Sequence, residues 1–351
     1  MFNRSKKICA IALSLALVSA TGLAGCGTAK DANNGGGGEG GSTANFGSVE
    51  IPVLDGSLCG APFYIAEKNG YFKEEGLDAK LIAADTETRK IGLNNGDYPI
   101  TNGDFMYFQS IEQDVNVSVV EGLHNGCIQV LAAADSDVNS VEDLAGANIG
   151  VDEIGGPPYE AASIWLENHG IKVTGSDSKV KFLPYSDGNL ELQALQNGEI
   201  KAAAIWDPIA SEAVKSGKAK TLLNIGTDDI FAGKYCCFVY ASNKVLEENP
   251  AEIAAIIRAL RKAEQFINDN TDEAVKIIAE NNYSEINDPK LAADLLKEYA
   301  YPTQEEFAAG KRGVKDTVEY FADQLYKIGY LSTESSKLID KLYREVDVEA
   351  K

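Results

Sequence analysis

Histidine is scarce in this chain of 351 residues, which contains only two. The sequence also lacks a Gly-x-Ser-x-Gly nucleophile elbow, a phosphate-binding Gly-Lys-Ser/Thr loop and a histidine pair at metal-ligand spacing. The sequence therefore lacks the groups that common hydrolases, nucleotide-binding proteins and metalloproteases require. We predict a protein with no catalytic residues, no cofactor and no metal.

Positive charge is also in short supply, with 32 Lys and Arg against 53 Asp and Glu and a formal net charge of −21. Such an acidic chain is repelled by phosphate backbones and anionic lipid headgroups, so nucleic acid is excluded as a partner. Most of the acidic residues lie in stretches that are typical of solvated helix faces, and they do not by themselves indicate a site.

Long apolar segments are confined to the N-terminus. Three basic residues precede the apolar run Ile8–Ala20, which is too short to span a bilayer, and Leu-Ala-Gly-Cys26 follows it. This arrangement resembles a bacterial lipoprotein signal peptide over 1–25, with Cys26 as the lipid-modified start of the mature chain; an ordinary secretory signal is the alternative. The Gly/Asn/Ser-rich residues 26–48 then form a flexible tether, and an extracytoplasmic, lipid-anchored protein is expected.

The stretch Gly60–Ile82 changes its periodicity part way along. Pro62 suits the first turn of a helix, Gly70 and Gly76 are natural helix ends, and after Gly76 apolar and polar residues alternate as in a strand. Together with the apolar run Val49–Leu54, this pattern predicts a β-α-β unit. Its first loop lies at the carboxyl end of a strand, where open α/β sheets bind ligands.

A short pattern occurs twice, as Leu93–Asp97 before residues 99–101 and as Leu195–Glu199 before residues 202–205. Each copy is typical of a helix end, an Asn-Gly stop and a buried strand that ends in polar residues. The repetition predicts two similarly built α/β lobes that close over a ligand about a hinge. The expected boundaries are residues 49–126 plus 242–351 for lobe 1, 134–234 for lobe 2, and 127–133 and 235–241 for two crossover strands, with helices at the C-terminus.

Several segments carry a resemblance to a known family: Pro62–Tyr64, Gly70–Leu77, Val141–Gly146, Asn197–Glu199, Ala204–Pro208 and Asn249–Ile253. Through them the chain resembles the substrate-binding lipoproteins of ABC importers, in the branch that handles nitrate, taurine, aliphatic sulfonates and thiamine pyrimidine precursors. The resemblance implies a two-lobe, type II periplasmic-binding-protein-like α/β fold and a monomer that delivers a small-molecule solute to an ABC permease in the membrane. Two other functions stay open, a thiamine-pyrimidine-synthase-like iron enzyme and a sensor lipoprotein without a transport role.

Candidate ligand-binding residues come from strand ends and helix starts. Gly155 and Gly156 precede a proline-started helix, where backbone amides favour an anionic group, although a plain turn is the alternative. Asn102 and Asp104 end a strand, and a carboxylate there either holds a ligand ammonium, amidine or hydroxyl or caps the next helix. Thr86 lies after another predicted strand, where the alternatives are again ligand binding and helix capping. Capping is the preferred interpretation there.

The aromatic candidates lie near predicted strand ends or helix starts: Phe63, Tyr159, Tyr185 and Trp206. Their rings either sandwich a flat heterocycle or belong to the core. Asp207 follows Trp206 in the polar cluster at its strand end. We expect the solute to lie between Phe63 and Trp206, with one end at Gly155-Gly156 and the other at Asp104, which favours zwitterions and heterocycles over plain nitrate.

Thiols and an imidazole form the last group: Cys59 in the first ligand loop, and His124, Cys127, Cys236 and Cys237 beside the crossovers. Cys59 and His124 are candidate ligand contacts. Cys236-Cys-Phe238 also resembles part of the cysteine-rich motif of fungal thiamine-pyrimidine synthases, but its flanking residues are not cysteines, so the motif is incomplete. Buried cysteines are usually small apolar residues, which is the preferred interpretation. The alternatives are a disulfide from Cys127 to Cys236 or Cys237 and metal binding by the thiols.

Overall fold

The computed structural model describes residues 45–53, 56–284, 286–310 and 313–350. The predicted signal peptide, Cys26 and most of the predicted tether lie outside these residues. Within the described residues the chain forms ten strands in three sheets, with fourteen α-helices and short 3-10 turns. No helix in these ranges combines the length and apolarity needed to cross a membrane.

Two small sheets, which we call the first lobe, are built from β1 (Gly47–Val53), β2 (Leu77–Ala83), β3 (Ile100–Gly103), β4 (Val117–His124) and β10 (Cys237–Ser242). β1 and β2 pair in parallel, and the other sheet has the order β3-β10-β4, with β10 antiparallel to both neighbours. The Thr101 hydroxyl donates to Pro52 O at 2.6 Å, which joins the two sheets.

A five-stranded sheet, which we call the second lobe, contains β5 (Ile128–Ala133), β6 (Asn148–Val151), β7 (Lys181–Pro184), β8 (Ala202–Trp206) and β9 (Ala219–Asn224). Its order is β7-β6-β8-β5-β9, with β6 parallel to β7 and β8, and β5 antiparallel to β8 and β9. β8 lies between two strands, and its run of apolar residues is buried, as a central strand requires.

The chain passes between the lobes twice, along residues 125–127 and along residues 225–236. The crossover strands expected at 127–133 and 235–241 correspond largely to β5 and β10, each of which is paired on both sides within one sheet. The covalent links between the sheets are therefore the short segments that precede these strands.

The helices surround the sheets in three groups. Their bounds are α1 (Ala61–Lys68), α2 (Tyr71–Glu74), α3 (Thr86–Asn95) and α4 (Phe108–Glu112) in the first lobe; α5 (Pro157–Asn168), α6 (Gly188–Gln196) and α7 (Ile209–Lys215) in the second; and α8 (Asn243–Glu248), α9 (Pro250–Asp269), α10 (Thr271–Glu280), α11 (Pro289–Glu298), α12 (Gln304–Ala308), α13 (Val314–Lys327) and α14 (Ser335–Leu342) towards the C-terminus.

Local signals explain why these elements begin and end where they do. Pro62 lies in the first turn of α1, and Gly70 and Gly76 have φ of 78° and 83°, as expected of helix ends. The order β1, α1, α2, β2 and the parallel pairing of β1 with β2 confirm the predicted β-α-β unit. Gly96 and Gly198, with φ of 79° and 74°, follow α3 and α6 and precede buried strands, so the doubled pattern is confirmed as well. Glycine adopts this left-handed conformation without the steric cost that other residues incur.

The C-terminal helices contact both lobes. α9 packs against α1 through a buried stripe that includes Ile253, Ile257 and Leu260, at the spacing of one helix face. α13 reaches the second lobe, where the Asn168 side-chain amide donates to Gln324 Oε1 at 3.0 Å. The tail therefore bridges the lobes in addition to the two covalent links.

Candidate ligand-binding site

A cavity of about 430 Å³ lies between the two lobes. Its walls come from the carboxyl ends of β3, β6 and β8, the starts of α3 and α5, and the segment after α13. Eight of the twelve ligand-binding residues predicted from the sequence line it: Cys59, Thr86, Asn102, Asp104, Gly155, Gly156, Tyr159 and Trp206.

The other four predicted residues lie elsewhere. Phe63 is fully buried on α1 in the core of the first lobe, and His124 is fully buried at the end of β4. Tyr185 packs against the core of the second lobe just after β7. Asp207 is buried after β8, where its Oδ1 accepts hydrogen bonds from Gln129 and Ser211. In this structure Phe63 therefore does not face Trp206 across the cavity.

Asp104 follows β3 and is almost fully buried at the cavity wall. Its Oδ1 accepts from the Met106 N–H at 2.9 Å, so the carboxyl caps the 3-10 turn Phe105–Tyr107 while it also lines the cavity. Burial raises the pKa of Asp104 well above its ordinary value, and the nearby Cys237 contributes to the same rise. A ligand that donates an N–H to this carboxyl would compensate part of the desolvation.

Arg89 on α3 is the main cavity residue that sequence reasoning missed. It is 2% exposed, its Nη1 donates to Asn102 O at 2.7 Å, and its Nη2 donates to Thr86 Oγ1 at 3.4 Å. Within the described residues its Nε has no hydrogen-bond partner. A guanidinium held by a carbonyl and a hydroxyl keeps its positive charge available to an acceptor atom in the cavity. The signal was its position three residues after Thr86, on the same helix face.

Gly155 and Gly156 precede α5 as predicted, but this helix start offers few donors. The Gly156 N–H donates to Glu153 O at 3.1 Å, and the two prolines that follow have no N–H. The Gly155 carbonyl accepts from the Tyr330 hydroxyl at 2.9 Å. An anion would therefore find fewer backbone amides here than the sequence suggested.

Trp206 presents a half-buried ring at the end of β8. Its Nε1 donates to Asp152 Oδ2 at 2.9 Å, which fixes the orientation of the indole. Burial raises the pKa of Asp152. Tyr159, in the first turn of α5, packs edge-on against Phe182 with ring centroids 4.6 Å apart. Asp152 directly follows β6, so the search for polar residues at strand ends that identified Asp104 would have identified Asp152 too.

The ionisable residues that line the cavity are mostly acidic. Among the described lining residues the acids are Glu87, Asp104, Asp152 and Glu153, and the bases are Arg89 and Lys90. Lys90 is already paired, because its Nζ lies 2.5 Å from Glu87 Oε1. Because carboxyl oxygens accept hydrogen bonds in either protonation state, this lining favours a group that donates N–H bonds over a compact anion.

The predicted thiols gather at the edge of the cavity, beside the links between the lobes. Cys127 Sγ lies 3.4 Å from Cys236 Sγ and 3.9 Å from Cys237 Sγ. The four cysteines within the described residues are all free, so neither of the two disulfides left open by the sequence is formed here. Cys59 and Cys237 also line the cavity.

His124 lies against these thiols with its ring fixed in place. Its Nδ1 is 3.0 Å from Asn125 O, and its ring stacks on Tyr299 with centroids 4.4 Å apart and planes 13° apart. Its Nε2 is buried and has no hydrogen-bond partner among the described residues.

Sequence comparison finds a matching family and two informative relatives. The model of a family described as NMT1/THI5 like matches residues 60–274, more than half of the chain. The chain is 28% identical over 232 residues to the formylaminopyrimidine-binding protein of Halalkalibacterium halodurans, over 64% of this chain and 67% of that protein. It is 27% identical over 150 residues to an Escherichia coli (strain K12) protein whose name provisionally assigns it aliphatic-sulfonate binding, over 43% of this chain and 44% of that protein. The chain thus spans less than half of the length of the second relative.

The fold is similar to that of a solved binding protein. The alkanesulfonate-binding protein SsuA from Xanthomonas axonopodis pv. citri, solved with bound MOPS, superimposes with a TM-score of 0.67. The similarity covers 86% of this chain and 100% of that one at 16% identity. At this identity the likeness concerns the fold alone.

Proposed function

The chain belongs to the NMT1/THI5-like family, and from that premise we propose that it is an extracytoplasmic receptor that captures a small solute and delivers it to an ABC-type permease. The membership confirms the resemblance drawn from the sequence, and the mixed α/β fold of periplasmic binding proteins is confirmed with it. The relatives described above are named as binding proteins rather than enzymes, which supports a binding role.

The cavity between the lobes is the observation that carries this proposal. Both lobes supply polar side chains to it, from the strand ends where α/β proteins of this kind bind ligands. Its volume of about 430 Å³ suits a small molecule. The two links, residues 125–127 and 225–236, would act as the hinge about which the lobes close on the solute.

The solute we propose is a flat, nitrogen-rich heterocycle of the aminopyrimidine class. Trp206 offers a ring face for stacking, and Asp104 and Asp152 offer carboxyl oxygens on opposite lobes for amino or ring N–H groups. Arg89 offers donors to a ring nitrogen or carbonyl oxygen. The acidic lining disfavours sulfonate, although the relatives include proteins named for sulfonates.

We expect formylaminopyrimidine to bind at least about 100-fold more tightly than MOPS, because a sulfonate would meet an excess of carboxyl groups. Isothermal calorimetry on the purified chain with both compounds measures the ratio. Small-angle scattering on the same samples should show a smaller radius of gyration when the ligand is bound. Tighter binding of MOPS would contradict the proposed solute class, and an unchanged radius in a saturated sample would contradict lobe closure.

Two variants connect this binding to the cavity. Asp104→Asn should weaken formylaminopyrimidine binding by about 0.5–1.5 kcal/mol, the typical net worth of a hydrogen bond, and Trp206→Ala should weaken it roughly tenfold. Tyr185→Phe is a control, because Tyr185 packs against the core of the second lobe and is not among the residues that line the cavity. If the cavity variants bind as tightly as this control, the solute binds elsewhere.

The lipid anchor is a separate part of the proposal, supported by the apolar run, Leu-Ala-Gly-Cys26 and the glycine-rich segment that follows. One acyl chain holds a membrane weakly, so at least two are expected on Cys26. Cys26→Ala should move the protein from the membrane fraction to the soluble fraction after cell lysis and centrifugation. Sedimentation of this variant with membranes, at the wild-type level, would show that the anchor lies elsewhere.

A further inference from the structure

Four side chains from separate segments meet beside the links between the lobes: Cys59, His124, Cys127 and Cys237. One ligand atom from each lies within 4.8 Å of the other three, and all four residues are buried. Cys59 precedes α1, His124 ends β4, Cys127 lies in the first link, and Cys237 begins β10 directly after the second link. The fold thus brings three thiols and one imidazole to a single point.

The spacing of these groups matches that of metal ligands. In a tetrahedral zinc site with Zn–S bonds of about 2.3 Å, neighbouring sulfur atoms are about 3.8 Å apart. Cys127 Sγ and Cys237 Sγ are 3.9 Å apart, and no other pair in the set exceeds 4.8 Å. Only small side-chain movements would be needed to place all four groups around one ion.

His124 supplies an independent observation. Its Nε2 is fully buried and lacks a hydrogen-bond partner among the described residues, although buried polar atoms are rarely left unpaired. Its Nδ1 lies 3.0 Å from the Asn125 carbonyl, the kind of contact that orients metal-bound imidazoles. Stacking on Tyr299 restricts the ring further.

We propose that Cys59, His124, Cys127 and Cys237 form a metal site for a thiophilic divalent cation, with Zn²⁺ as the best-matched ion. Three cysteines and one histidine are a set that closed, four-coordinate zinc sites use. The bound ion would connect the ends of both links, and it would lie beside the cavity, because Cys59 and Cys237 also line the solute site. This inference revises the sequence-based prediction that the protein uses no metal.

The test uses the full chain, kept reduced and stripped of metal with a chelator. We expect one equivalent of Co²⁺ to produce thiolate charge-transfer absorption together with the visible bands of tetrahedral Co²⁺. One equivalent of Zn²⁺ should then bleach these bands. Native mass spectrometry of the reduced wild-type chain with Zn²⁺ should show one bound ion.

Variants distinguish this site from incidental thiol binding. Cys127→Ser and Cys237→Ser should each weaken Zn²⁺ binding by about 100-fold or more, because each removes one of the four ligands. Cys236→Ser is the matched control: Cys236 Sγ lies 3.7 Å from Cys237 Sγ but is outside the four-ligand set, so the variant should keep the Co²⁺ spectrum. Circular dichroism checks that each variant is folded.

Several outcomes would overturn the proposal. One is the absence of a stoichiometric Co²⁺ spectrum and of a zinc adduct in the reduced, folded wild-type chain. Another is a spectrum that survives in Cys127→Ser but is lost in Cys236→Ser. A third is a Cys127–Cys236 disulfide whose reduction restores thiols but no metal binding. Since wild-type metal binding is measured without solute, these results are independent of the proposed transport role.

Discussion

Replacing Arg261 by methionine should lower the free energy of unfolding by about 3 kcal/mol, because it leaves the carboxylate of Glu121 buried without its cation. Arg261 Nε lies 3.0 Å from Glu121 Oε2, and its Nη2 contacts the same oxygen. Glu121 is on β4 and only 5% exposed. The guanidinium also lies over the Phe307 ring, 4.0 Å from its centroid, and methionine keeps much of that apolar contact. Urea unfolding measured at pH 8 checks the value.

Controls separate the buried charge from general packing. Lys290→Met removes one partner of an exposed pair, Lys290–Asp294, and should cost less than about 0.5 kcal/mol. The double variant Arg261→Met with Glu121→Gln should recover part of the loss, since no charge is then buried. The loss in the single variant should also be smaller at pH 5, because burial raises the pKa of Glu121 and a carboxyl without its cation protonates more readily. Equal losses in Arg261→Met and Lys290→Met would contradict this account.

The second large effect concerns Glu191 on α6, which is 1% exposed and whose Oε1 has no hydrogen-bond partner among the described residues. Burial, with a smaller contribution from Asp152, raises the pKa of Glu191 from 4.5 to about 9. Between these values the folded chain retains a proton that the unfolded chain has lost. Stability should therefore fall as pH rises through this window, by up to about 1.4 kcal/mol per pH unit from this group.

Glu191→Gln tests this assignment, because glutamine has no proton to lose. The variant should match the wild type near pH 4, exceed its stability by a few kcal/mol at pH 8 and show a shallower decline between those values. Thermal unfolding followed across pH 4.5–9 measures both slopes. The exposed Glu199 supplies the control variant Glu199→Gln, which should keep the wild-type slope. An unchanged slope in Glu191→Gln would mean that this carboxyl is ionised in the folded protein.

Local signals made much of the fold predictable. Pro62, Gly70 and Gly76 determine where α1 and α2 begin and end, since their backbone preferences hold whatever surrounds them. The doubled pattern of a helix end, an Asn-Gly stop and a buried strand placed Asn102, Asp104 and Trp206 at strand ends. These three residues line the cavity. Strand ends in α/β sheets face one side of the lobe, so a chain-level pattern is enough to bring them together.

Other features depended on packing that no local pattern reveals. The first turns of α1 are apolar on every side, so the sequence could not show that Phe63 points into the core. The spacing from Thr86 places Arg89 on the same helix face, but the helix is polar, and only tertiary packing buries the guanidinium beside Asn102. Cys59 and Cys237 lie close together although they are far apart along the chain, and only the topology of the fold determines their proximity.

The position of β10 in its sheet has a consequence for the order in which the chain can fold. β3 and β4 have no direct pairing, because β10 lies between them and arrives only after the whole second lobe has been traversed. The second lobe, in contrast, is one continuous segment of 128–224. A chain that is synthesised from its N-terminus can therefore complete the second lobe before the central strand of the first lobe is available. Long-range pairings of this kind are slow to form and leave strand edges exposed meanwhile.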